Sequence, residues 1–78
     1  KEVDVVDENL LQLIKKRLHL TKEIGEIKKE NQMSIIDANR EKALFATLEK
    51  KSRELKLDPD IMATIWHQIL KASYRSQE

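Results

Sequence analysis

The fold is decided by residues 3–27, which read VDVVDENLLQLIKKRLHLTKEIGEI. Apolar residues recur there at alternating steps of three and four, with Arg17 standing where one more apolar residue is due. This spacing is typical of a packed seam along one side of a helix. We therefore predict one long first helix over about residues 1–31. The seam consists of Val3, Val6, Leu10, Leu13, Leu20, Ile24 and Ile27.

Two shorter helices are predicted after the first. Asp37 is a good N-cap, because its carboxylate can accept the free amide hydrogens of a first helical turn, and we predict a helix over about residues 37–55. Asp58 and Pro59 place a cap before a proline at the first helical position, which predicts a third helix over about residues 59–77. With one glycine and one proline in the chain, we predict an all-α fold in a single domain, residues 1–78.

The length of the first helix predicts a partner. About 30 helical residues extend over about 45 Å, whereas a compact globule of 78 residues is about 30 Å across. The first helix should therefore overhang the rest of the chain and expose its seam. The chain contains no cysteine, so disulfides cannot supply the missing stability, and small domains then commonly oligomerise. We predict an intertwined homodimer that pairs along the long helices.

Composition narrows the possible partners and compartments. The 15 basic and 14 acidic side chains nearly cancel, to a net charge of +1, which argues against a nucleic-acid partner. No apolar run approaches the about 20 residues that span a bilayer, and no signal peptide is visible. We therefore predict no membrane association and, together with the lack of cysteine, a cytoplasmic protein. The two histidines have no acidic cluster beside them, so we predict no metal site.

Polar side chains interrupt the apolar stripe of each predicted helix. Arg17 stands in the seam of the first helix, and Lys28 follows it by eleven residues, about three turns, so that both point nearly the same way. On the second helix, Glu41 shares a stripe with Leu44 and Leu48. The polar positions taken together are Arg17, Lys28, Asp37, Arg40, Glu41, Ser73 and Gln77.

Each of these positions alone has an ordinary structural explanation. Arg17 can form an ion pair with Glu41, Lys28 can be a solvated lysine near a helix end, and Asp37 can serve only as a cap. Together they indicate a buried polar pocket, because burying an unpaired cation costs several kcal/mol. No glycine-rich phosphate loop and no Ser/His/Asp set accompanies the pocket. An enzyme built on it would work without a nucleophile or a metal.

The order and spacing of these motifs resemble the all-helical chorismate mutases. That family has an arginine ten residues after an aspartate, a lysine eleven residues further, Asp-x-x-Arg-Glu opening the second helix and Ser-x-x-x-Gln on the last. The resemblance covers essentially the whole chain. The ending Ser73-Tyr74-Arg75-Ser76 is also similar to the mutase domain of bifunctional mutase–prephenate dehydrogenases. The matching elements here are Asp7-Glu8-Asn9-Leu10-Leu11, Arg17, Lys28, Asp37-Ala38-Asn39-Arg40-Glu41, and Ser73 with Gln77.

The resemblance implies that the domain rearranges chorismate to prephenate, a step of phenylalanine and tyrosine biosynthesis. This intramolecular Claisen rearrangement needs no cofactor. Catalysis would come from holding the reactive diaxial conformer and from stabilising charge as the ether bond polarises. The implied roles are carboxylate binding by Arg17, Arg40 and Ser73, ether-oxygen binding by Lys28 and Gln77, and hydroxyl binding by Glu41 with the backbone near Asp37.

The resemblance also implies active sites that are shared between the two chains of a dimer. The family donates a further arginine across the dimer, from the start of the first helix. Alignment of the motifs places that position immediately before Lys1. Lys1 itself would point about 100° away from it along the helix, so we do not expect Lys1 to take the arginine's role.

Two other functions compete with the mutase. An isochorismate–pyruvate lyase of the same fold would bind similar carboxylates, and Glu41 directly after Arg40 favours the mutase over it. A non-catalytic helical dimerisation or regulatory module would keep the seam but has no need for Lys28 and Gln77 together.

Overall fold

The chain folds into three helices without a strand in the part that the structure describes. The computed structural model describes the backbone of residues 1–33 and 36–77, and within these ranges the side chains up to Arg75. Helix α1 covers Glu2–Glu30, α2 covers Ala38–Glu54 and α3 covers Pro59–Gln77. The predicted all-α fold with a long first helix is confirmed.

The starts of α2 and α3 are set by aspartate caps. The backbone N–H of Arg40 donates to Asp37 Oδ1 over 3.1 Å. The backbone N–H of Asp60 donates to Asp58 Oδ1 over 2.9 Å, and Pro59 occupies the first position of α3. Because each cap satisfies amide hydrogens that the first helical turn leaves unpaired, both helices begin sharply at these aspartates.

The ends of α1 and α2 share one turn geometry, although neither carries a glycine. Gln32 and Lys56 have positive φ values of 57° and 60°. The N–H of Met33 donates to the Lys28 carbonyl over 2.7 Å, and that of Leu57 to the Ser52 carbonyl over 2.8 Å. These are Schellman turns, in which a left-handed residue reverses the chain and pairs the last free carbonyls.

The helices lie in a single layer. Helix α3 packs against both α1 and α2, whereas within the described ranges no Cα atom of α1 lies within 8 Å of one of α2. The molecule measures 43 × 27 × 15 Å, and its smallest dimension is little more than the about 10 Å diameter of one helix. Its radius of gyration of 14.3 Å exceeds the about 11–12 Å expected of a compact chain of this length.

A single layer cannot form a closed hydrophobic core. None of the hydrophobic side chains in the described part of the chain is buried. The seam of α1 is open to solvent, with Leu10 exposed to 51%, Leu13 to 62% and Ile27 to 58%. Stable domains commonly place their apolar faces between two packed layers, whereas the described part of this chain forms a single layer.

Helix α1 therefore has two distinct faces, one packed on α3 and one apolar and exposed. One face packs on α3 through Ile14, Leu18, Thr21 and Gly25, which recur every three or four residues and are buried or half-buried. Gly25 is the buried residue of α1, and the lack of a Cβ there lets a neighbouring helix lie close. The exposed seam runs along the adjacent face. None of the described helices has an apolar stretch long enough to cross a bilayer.

Candidate active site

An open cavity of about 320 Å³ lies where the three helices meet. This volume is in the range of small-molecule sites. Helix α1 contributes residues to its wall from three successive turns, α2 contributes its first turns, and α3 contributes its last described turns. The polar residues that line it are Arg17, Thr21, Lys28, Asp37, Arg40, Glu41, Thr47, Ser73 and Tyr74.

The cavity brings together six of the seven residues that the sequence singles out. They come from positions up to 56 residues apart, Arg17 to Ser73, and all three helices supply them. The seventh, Gln77, belongs to the last turn of α3, but its side chain lies outside the described residues. The six are Arg17, Lys28, Asp37, Arg40, Glu41 and Ser73.

The guanidinium group of Arg17 reaches this cavity with one of its nitrogens, Nη1, buried. Its Nη1 has no hydrogen-bond partner among the described residues. An ion pair with Glu41, the structural alternative for Arg17, is not formed: Glu41 accepts a hydrogen bond from Tyr74 instead. A buried donor that is left unsatisfied costs about 1–3 kcal/mol, and more when it is charged. The site therefore contains an unused cationic donor that an anionic ligand can satisfy.

The charges that line the cavity favour an anion. Arg17, Lys28 and Arg40 are balanced within the described wall by Asp37 and Glu41, which leaves one net positive charge. Asp37 already uses Oδ1 to cap α2, so it is held by the helix it starts. Arginine is suited to carboxylates because its planar fork can donate two parallel hydrogen bonds.

Ser73 is the most buried side chain of the cavity, with 2% of its surface exposed. Its Oγ lies 3.3 Å from Thr21 Oγ1, which in turn lies 3.1 Å from the Leu18 carbonyl. Because Thr21 has one hydroxyl hydrogen, it can donate to only one of these two oxygens. When Thr21 donates to Ser73, the Ser73 hydroxyl hydrogen is free for an anion in the cavity.

Tyr74 is a cavity residue that the sequence reasoning did not select. Its hydroxyl donates to Glu41 Oε1 over 2.5 Å. Burial, the hydrogen bond to Glu41 and the negative charges of Glu41 and Asp37 together raise the pKa of Tyr74 to about 12, against the opposing effect of the nearby Arg17 cation. Tyr74 therefore remains a neutral hydrogen-bond donor throughout the physiological pH range. Its only sequence signal is its place directly after Ser73, which on a helix is about 100° around the axis.

The remaining wall is apolar. Ile24 of α1, Leu44 of α2 and Leu70 of α3 face the same cavity as the charged groups. Apolar walls lower the local dielectric constant, so that each charge acts more strongly on a bound ligand than it would in water. The described part of the chain holds no cluster of three or more side chains suited to a metal ion.

The fold and the cavity define a small all-helical domain whose polar pocket carries a net positive charge. The chain belongs to the chorismate mutase type II family, whose model matches residues 1–78. This assignment confirms the predicted family.

Several curated proteins are similar to the chain. It is 33% identical over 76 residues to the T-protein of Enterobacter agglomerans. The aligned segment covers 97% of this chain and 20% of that protein. It is 31% identical over 71 residues to the chorismate mutase of Methanocaldococcus jannaschii, covering 91% of this chain and 72% of that one. A bifunctional chorismate mutase/prephenate dehydratase of Aquifex aeolicus is 36% identical over 55 residues, 70% of this chain and 15% of that protein. No solved structure matches. The chain thus spans only about a fifth of the T-protein.

The ionisation of Tyr74 provides a test of the cavity geometry without any ligand. Tyr74 is the chain's only tyrosine, so near-ultraviolet absorbance reports its phenolate alone. We expect a titration midpoint near pH 12 in the folded protein, against 10.0 for an unperturbed tyrosine. Since the folded-state pKa is the higher one, the stability that Tyr74 contributes is fully present below pH 10 and is lost as the pH rises through about 12.

Removing the negative charge beside Tyr74 should lower that midpoint. In Glu41→Gln we expect the titration to move toward pH 10, whereas the exposed, matched change Glu49→Gln on the same helix should leave it in place. A wild-type midpoint near pH 10, recorded while circular dichroism still shows a folded helical protein, would contradict the Tyr74–Glu41 hydrogen bond.

Proposed function

We propose that this domain converts chorismate to prephenate in an active site formed by the cavity between its helices. The observation that carries the proposal is the buried Nη1 of Arg17, which lacks a hydrogen-bond partner among the described residues. A structural module has no need for a buried cationic nitrogen without a partner, because an apolar residue of similar volume is commonly as stable or more stable. A site for a carboxylate requires such a donor.

The substrate's two carboxylates fit the cationic part of the cavity. Arg17 binds one carboxylate with the help of the Ser73 hydroxyl, and Arg40 at the start of α2 binds the other. Holding both carboxylates brings the enolpyruvyl side chain over the ring in the conformer in which the new C–C bond can form. Because the reaction is intramolecular, this orientation removes a large part of the barrier.

The cavity also carries groups for the charge that develops during the reaction. As the C–O bond breaks, negative charge accumulates on the ether oxygen, and Lys28 donates a hydrogen bond to it. By the resemblance to the family, we assign the second hydrogen bond to Gln77, whose side chain lies outside the described residues. Donors that are fixed before the reaction stabilise this charge without any reorganisation. Glu41 accepts a hydrogen bond from the ring hydroxyl, beside the backbone at Asp37.

The second chain of a homodimer completes the site in this proposal. The described wall has a net charge of +1, and the substrate brings two negative charges, so one carboxylate charge remains unbalanced. The exposed seam of α1 needs a second layer to cover it. A second copy that packs on this seam would bury it, and a cation from that copy would supply the missing positive charge.

Product analysis decides between the mutase and its rivals. Purified protein is incubated with chorismate and, separately, with isochorismate, and the products are identified by chromatography and mass spectrometry. We expect prephenate from chorismate and no pyruvate from isochorismate. Pyruvate release from isochorismate would identify the lyase. A folded protein that turns over neither substrate would identify the non-catalytic module.

Lys28→Ala should lower kcat for chorismate by about 10²–10³-fold, because one donor to the developing negative charge is lost. KM should change much less, since the contact strengthens only in the transition state. Lys22→Ala is the matched control: it removes an exposed lysine of the same helix and should leave the steady-state rates unchanged. Equal kinetics for the two variants would remove Lys28 from the catalytic machinery.

A further inference from the structure

We infer that Tyr74 is a positioning residue, whose hydroxyl fixes the Glu41 carboxylate as the acceptor for the substrate's ring hydroxyl. This inference rests on the proposed function. It gives the chain a determinant of substrate recognition at a position between Ser73 and Gln77, the two residues of α3 that the sequence motif selects.

The geometry is that of a brace between two helices. The hydroxyl of Tyr74 on α3 donates to Oε1 of Glu41 on α2 over 2.5 Å, across 33 residues of sequence. Both side chains line the cavity and both are half-buried. A neutral donor on an ionised carboxylate makes a charge-assisted hydrogen bond, which is about twice as strong as one between neutral groups.

Such a brace is needed because glutamate is flexible. A glutamate side chain has three rotatable bonds, and ordering it for a ligand costs entropy at the moment of binding. A tyrosine has a rigid ring on two rotatable bonds and can hold the carboxylate in place before the ligand arrives. An acceptor that is already oriented loses less free energy on binding than one that must be ordered.

The brace does not occupy the acceptor that the substrate needs. A carboxylate has two oxygens and about four lone-pair sites, and Tyr74 uses one of them, on Oε1. The lone-pair sites that Tyr74 does not use can accept a hydrogen bond from the ring hydroxyl. Tyr74 therefore supports the recognition of the hydroxyl and does not compete with it.

The test compares chorismate with an analogue whose ring hydroxyl is replaced by hydrogen. We expect Tyr74→Phe to lower kcat/KM for chorismate about tenfold, the size of a lost hydrogen bond to a charged group. For the analogue, which has no hydroxyl to present to Glu41, the decrease should be less than about twofold. In a Glu41→Gln background, Tyr74→Phe should then have almost no further effect, because coupled residues are not additive.

A matched control removes a hydroxyl elsewhere on the same helix. The Thr64 hydroxyl donates to the Asp60 carbonyl over 3.0 Å at an exposed site, and Thr64→Val should leave the kinetics with both substrates unchanged. An equal loss for chorismate and the analogue would show that Tyr74 serves only packing. A faster Tyr74→Phe enzyme would show that the tyrosine competes with the substrate. Either result overturns the inference.

The phenol titration keeps the inference testable if Tyr74→Phe folds poorly. A Tyr74 midpoint that is the same in wild type and Glu41→Gln would show that the brace does not exist in solution, and would overturn the inference. Turnover of chorismate by the wild type distinguishes a failure of the Tyr74 inference from a failure of the proposed function. Wild-type turnover without selective loss in Tyr74→Phe would refute the brace alone, whereas a folded wild type without turnover would overturn the proposed function and the brace together.

Discussion

Replacing Arg17 by methionine should lower kcat/KM for chorismate by about 10²–10³-fold and raise the free energy of unfolding by about 1 kcal/mol. Activity falls because a bidentate carboxylate contact is lost. Stability rises because the buried Nη1, which has no partner among the described residues, no longer needs to be desolvated. Methionine is unbranched and flexible enough to fill the space of the arginine stem.

Steady-state kinetics and urea denaturation of the same preparations measure both halves of this expectation. Arg17→Lys keeps the charge but loses the planar fork, so its activity should lie between wild type and Arg17→Met. Arg53→Met is the matched control, because Arg53 is 68% exposed and paired with Glu49 over 3.0 Å. That variant should stay within about 0.5 kcal/mol of wild type. A destabilised Arg17→Met that keeps its activity would make Arg17 a structural residue.

Leu13→Asp should abolish dimerisation, folding and activity together. In an isolated chain Leu13 is 62% exposed, and a substitution at such a site costs only about 0.5 kcal/mol or less. In the proposed homodimer the same position is buried in the seam. A twofold interface would bury the introduced charge twice, at several kcal/mol for each copy. The size of the effect therefore distinguishes the dimer from the monomer.

Sedimentation, circular dichroism and chorismate turnover should be measured on this variant side by side with Lys15→Asp. Lys15 is exposed on the opposite side of α1, about 200° around the helix from Leu13. Lys15→Asp therefore introduces the same side chain as Leu13→Asp but places it outside the seam. We expect Lys15→Asp to remain a folded, active dimer. A Leu13→Asp variant that behaves like Lys15→Asp would refute a dimer built on the α1 seam.

The helices could be predicted from the sequence because their causes are local. The seam spacing over residues 3–27 and the caps at Asp37 and Asp58 depend on neighbours within one or two helical turns. The turns at Gln32 and Lys56 could not be predicted in the same way. Glycine is the usual residue at such positions, and here a glutamine and a lysine take the left-handed conformation.

Six of the cavity residues were predictable as a set because the resemblance to a family supplied their order and spacing. Helical periodicity alone shows that Arg17 and Lys28 share a face of α1, but it carries no information on what that face meets. Tyr74 was missed for the same reason. It lies beside the stripe that ends in Ser73, and only the packing of α3 against α2 brings its hydroxyl to Glu41.

The sequence by itself determined three helices, their starts and the stripe on each that carries polar groups, because helix formation depends on neighbours along the chain. The tertiary structure decided which groups meet across the chain: Tyr74 with Glu41, 33 residues apart, and Thr21 with Ser73, 52 residues apart. It also showed that the layer of helices buries none of the described hydrophobic side chains. Burial and long-range contacts depend on how helices are placed in space, and the periodicity of a single helix does not contain that placement.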